Sequence, residues 1–130
     1  VPPKKPSHLT EAELRIMNVV WKKEKATVAD VAAALSGELD LAYNTVLTTM
    51  RILENKGYLK HAKVKDARAF VYRPVVGRIE ATRNAVRHLL RRFFGDSAEA
   101  LVLNLLDDDV LDESELKNIR KLLREKGARK

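Results

Sequence analysis

Between Thr10 and Val75 the apolar residues recur three times with a helical period and then twice with a strand-like one. That order constrains the fold more than any other feature of the chain. Thr10-Glu11-Ala12-Glu13 reads as a capping box opening a first helix that is expected to bury Leu14, Met17 and Trp21. Thr27 to Asp30 opens a short second helix through Val31 and Leu35, ended at Ser36-Gly37. After a loop through Asp40 a third helix is predicted over 42–56, with Gly57 as its left-handed stop. Tyr58–Val64 and Ala69–Val75 read as strands of a hairpin around Lys65-Asp66-Ala67-Arg68, with Pro74 closing the second.

After Gly77 the pattern is helical only. Ile79, Val86, Leu89, Leu90, Phe93 and Phe94 make one stripe, with Arg83, Arg87 and Arg91 elsewhere around the helix, and Gly95-Asp96 breaks it. Ala98, Leu101, Val102, Leu105 and Leu106 mark another helix. Asp112 to Glu115 caps a last one carrying Leu116, Ile119, Leu122 and Leu123. Three helices followed by two strands is the order of a winged helix-turn-helix. The predicted fold is therefore mainly α with a small β-hairpin wing, in three parts. Residues 1–8 form a disordered tail, 9–76 a DNA-binding winged helix-turn-helix, and 77–127 a helical dimerisation domain. A unit below about 70 residues rarely closes its own core. A second copy is expected to cover Ile79, Val86, Leu90, Phe93, Phe94, Leu101, Leu105, Leu116, Ile119 and Leu123.

In the predicted third helix Val46, Met50 and Leu53 form an ordinary core stripe, while Asn44, Leu47, Thr48 and Arg51 face the other way with no acid before Glu54. In a chain that is 33% charged, such a face looks prepared to lie against a polyanion. Asn44 can pair with adenine, Thr45 and Thr48 with bases or phosphates, Leu47 with a thymine methyl, and Arg51 with guanine or phosphate. Tyr43, Lys63, Lys65 and Arg68 can hold the backbone without reading sequence. Residues 56–73 carry six bases against the single acid Asp66, and the whole chain carries +7. The bland alternative is an ordinary solvated helix beside a hairpin made basic for solubility.

Other classes fit poorly. His8, His61 and His88 lie in different elements without metal-ligand spacing, and the five glycines form no phosphate loop. Ser7 lies in the tail, and Ser36, Ser97 and Ser114 lie at helix ends, where capping explains them. No nucleophile, base and orienting group can be assembled, so neither catalysis nor a cofactor or metal is expected. The absence of cysteine fits a cytoplasmic protein and removes disulfides and thiolate sites. The opening VPPKKPSH reads as a tail rather than a signal peptide, and no apolar run approaches a membrane span.

The runs LTEAELRIMNVVWKK, LAYNTVLTTMRILENKGYL, AFVYRP and ALVLNLLDDD together resemble the penicillinase-repressor family, the BlaI/MecI/CopY type, over residues 8–125. The most specific elements are E-L-x-I-M-x-x-x-W at Glu13–Trp21, T-V-x-T-x-M-x-x-L-x-x-K-G at Thr45–Gly57, and V-L-N-x-L at Val102–Leu106. The resemblance implies a dimeric repressor on a dyad-symmetric operator. It further implies release by cleavage in the dimerisation domain, through a membrane-bound metalloprotease sensor that detects a β-lactam. The bond matching the family's scissile Asn-Phe is Asn104-Leu105, with Leu105 in place of Phe; Asn104 also reads as a lone polar residue on an apolar helix. The lack of cysteine separates the chain from the copper-responsive branch. The family's usual arginine near the end of the reading helix stands one position earlier, as Arg51. Two other readings stay open: a winged-helix regulator released by a small ligand between head and dimer domain, and a protein-interaction module without specific DNA binding.

Overall fold

The computed structural model describes residues 8–36, 42–64 and 69–128. They fall into two compact units, one up to His88 and one from Leu89. The change of composition at Gly77 precedes α4, and the first unit extends through the first turns of that helix.

The first unit contains α1 (Glu11–Lys23), α2 (Val28–Leu35), α3 (Tyr43–Asn55), β1 (Leu59–Lys63), β2 (Phe70–Pro74) and the start of α4 (Arg78–Phe94). The expected capping box at Thr10 is present, and the start of α2 at Thr27 carries a second one. The Glu13 amide donates to Thr10 Oγ1 at 3.2 Å while the Thr10 amide donates to Glu13 Oε1 at 2.8 Å, and Thr27 and Asp30 exchange the same pair at 3.0 Å each. These bonds satisfy donors that a helix start leaves unpaired. α3 opens on Ala42 without a side-chain cap and stops at Gly57, whose φ of 89° is costly for any residue with a Cβ.

The strands pair antiparallel from Leu59 opposite Pro74 to Lys63 opposite Phe70. A further rung was not foreseen: Ala26, between α1 and α2, exchanges backbone bonds with Tyr72 at 3.0 and 2.8 Å. The core gathers Ile16, Met17 and Val20 from α1, Val31 and Leu35 from α2, Val46, Met50 and Leu53 from α3, and Tyr58, Leu59 and Tyr72 from the hairpin region. Burial of this kind is the main favourable contribution to folding.

One expectation for α1 is corrected. Leu14 is 41% exposed and Trp21 only half-buried, whereas Glu13 is buried. The inner face runs through positions 13, 16, 17 and 20. Leu14 and Trp21, seven residues apart, lie along its edge and line a groove with Ala81, Ala85 and Val86 of α4. Trp21 is fixed there by its indole N–H, which donates to the Val76 carbonyl at 2.9 Å.

The second unit holds the rest of α4, α5 (Ala98–Asp107) and α6 (Glu113–Ala128). Gly95 and Asp96, both left-handed, make the expected break. Ser97 Oγ then caps α5 by accepting from the Ala100 amide at 3.0 Å, and Asp112 and Glu115 cap α6 reciprocally at 2.8 and 3.1 Å. Capping accounts for Ser36 as well, a C-cap of α2 whose hydroxyl donates to the Ala33 carbonyl, but not for Ser114, which lies inside the first turn of α6. No residue of α5 or α6 is buried. Among the described residues no helix is long and apolar enough to cross a membrane.

Candidate nucleic-acid interface

α3 is divided sharply between two faces. Val46, Met50 and Leu53 have no exposed surface, while Asn44, Thr45, Thr48 and Arg51 are exposed and Tyr43 is 53% exposed at the helix start. Leu47 is half-buried and packs against the core as well as walling a cleft toward the hairpin. Two neighbours were missed from sequence. Asn55 is exposed and continues the 4-3-4 spacing from Asn44, Thr48 and Arg51, which is the signal that could have found it. Ile52 is 43% exposed on the flank shared with Thr45, an apolar surface that the polar face did not announce.

The hairpin lies beside this helix. Lys60, Lys63 and Arg73 are exposed on it, while Lys65 and Arg68 lie outside the described residues. Lys56, counted in the basic run, is committed elsewhere: its Nζ meets Glu13 Oε1 at 2.7 Å. Burial pushes the Glu13 carboxyl up, but bonds from the Lys56 ammonium and from Thr10 together hold it below its ordinary value. The tie joins the start of α1 to the end of α3 and so fixes the orientation of the outward face.

Between α3 and the hairpin runs a cleft of about 280 Å³. Tyr43, Leu47, Arg51 and Glu54 form one wall, His61, Phe70 and Tyr72 the other, and Thr27 to Ala29 close it from α2. Glu54, the acid that ends the outward face, accepts from the His61 amide at 3.2 Å and lies 2.7 Å from His61 Nδ1. The Tyr72 phenol is pushed up, by burial first and then by the Glu54 charge.

In the second unit and the helix leading to it, the residues expected at a dimer core are open to solvent to different degrees. Ile79, Phe93 and Leu123 are 70%, 67% and 63% exposed, Val86 and Ile119 are exposed, and Leu90, Phe94, Leu101, Leu105 and Leu116 are half-buried. Asn104 is exposed on α5, with its carbonyl accepting from the Asp108 amide at 3.3 Å. Among the described residues no cluster of His, Asp and Glu could hold a metal ion.

Comparison with known proteins gives this geometry a family. The family model of the penicillinase repressor matches residues 9–125. The penicillinase repressor of Bacillus licheniformis is 31% identical over 127 residues, 98% of each chain. The methicillin resistance regulatory protein MecI of Staphylococcus aureus is 23% identical over 118 residues, covering 91% of this chain and 94% of that one. The solution structure of the DNA-binding domain of the repressor BlaI superposes with a TM-score of 0.52 at 32% identity, covering 59% of this chain and 92% of that domain. Those relatives are repressors rather than enzymes. With its winged-helix head, its acid-poor outward face on α3 and a match along nearly its whole length, the chain belongs to the penicillinase-repressor family of DNA-binding transcriptional repressors.

Proposed function

We propose that the protein represses transcription as a homodimer on a dyad-symmetric operator, with residues 9–76 as the DNA-binding head and 77–127 as the dimerisation domain. The observation that carries the reading is α3 itself: Asn44, Thr48 and Arg51 stand exposed on a helix whose opposite face is fully buried, beside a basic hairpin. The major groove admits one such helix. Asn44, Thr45, Leu47, Thr48 and Arg51 read bases there, and Tyr43, Lys63, Lys65 and Arg68 hold phosphates. The apolar residues left open on α4 to α6 supply the surface for a second copy, which places two heads on two half-sites.

Release follows the family pattern. A membrane-bound metalloprotease sensor, responding to a β-lactam or cell-envelope signal, cuts Asn104-Leu105 in the cytoplasm. Cutting within α5 removes the linkage between the heads, and two-point binding is lost. The exposure of Asn104 supports access to this bond.

Selection from a random-sequence duplex library at near-physiological salt tests the reading. Enrichment of a two-fold symmetric site is expected. A folded dimer that enriches nothing would favour a protein-interaction module instead. Mass analysis of the repressor during induction checks the release step, where an uncut Asn104-Leu105 bond would favour a ligand.

A further inference from the structure

Glu54 is the one acid of α3, and it sits where the reading helix meets the wing. A bare carboxylate there would repel the phosphates the rest of the face is built to approach. Among the described residues, the side chain bonded to it is that of His61. His61 Nδ1 lies 2.8 and 2.7 Å from the two Glu54 oxygens, and the His61 amide donates to the same carboxylate. The imidazole is held from the other strand as well, edge-on to Phe70 at 4.8 Å and tilted over Tyr72 at 5.4 Å. Among the described residues, the titratable and charged groups lining this cleft beside His61 are Tyr43, Arg51 and Glu54 from α3 and Tyr72 from β2; α2 contributes Thr27, Val28 and Ala29.

We infer that His61 is a positioning residue for DNA binding, one that ties the wing to the reading helix and takes up a proton as the duplex docks. This deepens the proposed reading of the interface and rests on it. A neutral imidazole can donate to Glu54 but leaves the head with an uncompensated negative charge; an imidazolium cancels it. The field of a polyanion favours an imidazolium over a neutral imidazole, so docking of the duplex and a charged His61 support each other. Affinity is then highest in mild acid and falls as pH rises through the range where imidazoles change charge. One proton per head sets a ceiling of about tenfold per pH unit. His8 and His88, stacked on each other at 3.9 Å in the same unit, are the other imidazoles to be controlled for.

The test titrates a mixed-sequence duplex into the full chain between about pH 6 and about pH 8 at constant ionic strength. Wild type, His61→Gln, Glu54→Gln and the double variant His8→Gln/His88→Gln are compared, with thermal melts confirming the fold. Glutamine can still donate to Glu54 but cannot become charged. Wild type and the double variant are expected to lose about five- to tenfold across the range. His61→Gln should give a flat profile near the wild-type value at the alkaline end. Glu54→Gln should bind more tightly than wild type at that end, with a shallower profile, and decides the matter should His61→Gln fail to fold. An equal loss for His61→Gln at both ends would mean a purely structural tie and overturn the inference, as would a wild-type profile that survives the substitution. Folded wild type that binds no duplex at any pH would instead overturn the DNA reading itself.

Discussion

The two compact units use the same sequence device and end differently. In the head, the apolar stripe of α3 is closed by α1, α2 and the hairpin region, leaving Val46, Met50 and Leu53 without exposed surface. In the C-terminal unit α6 is as strongly amphipathic by pattern, yet Leu122 and Leu123 remain more than 60% exposed and neither α5 nor α6 buries any residue. An amphipathic period says that a face is meant to be covered; it does not say by what. The head supplies its own cover, and α5 and α6 leave theirs open to solvent.

That contrast can be broken or sharpened by substitution. The largest effect is expected from Met50→Ala, which opens a cavity in the closed core and should cost the head about 2–5 kcal/mol in urea unfolding. Lys56→Met comes next, at about 2–4 kcal/mol, because it leaves the buried Glu13 carboxylate without its cation. The pH dependence has a definite sign. Since the folded Glu13 carboxyl titrates below its ordinary value, its stabilisation is present above the ordinary glutamate range and lost as pH falls through the lowered value. Wild type and Lys56→Met should therefore converge in acid; a constant gap would show that the pair is not the cause.

Phe93→Ala tests the open unit. It should weaken self-association by about 1–3 kcal/mol in sedimentation while leaving the unfolding of the head unchanged. A loss of head stability from Phe93→Ala would erase the distinction between the units. Effects of similar size or smaller are expected on the outward surface, which neither core explains. Arg51→Ala should cost about 1–3 kcal/mol on a selected duplex and relax base preference. Lys63→Ala should weaken all duplexes alike and lower the salt slope by about one. Equal losses on selected and random DNA for Arg51→Ala would remove the base-reading role.

Much of the head was legible because its signals are local. Thr10, Thr27 and Asp112 announce helix starts through partners three residues away, and Gly57 announces a stop through its own backbone freedom. What the sequence hid was non-local. Lys56 belongs to a basic run by position, but its partner Glu13 is 43 residues earlier. Ala26 carries no strand signal, because its rung depends on where β2 comes to lie. Leu14 looked like core because helical spacing leaves the centre of the buried face uncertain by one residue. The site follows the same division: the α3 face could be projected from its period, whereas the Glu54–His61 pair needed the hairpin to fold back onto the helix.

Trp21 is the chain's only tryptophan. Its indole N–H is bonded to the Val76 carbonyl, two residues after the wing closes, and the Arg78 guanidinium lies over its ring at 4.8 Å. Indole emission responds to a lost hydrogen bond and to a displaced positive charge. The fold has thus installed a native fluorophore at the joint where β2 gives way to α4. Any binding event that re-aims that joint would register as a colour shift in unlabelled protein, without dye or engineered probe.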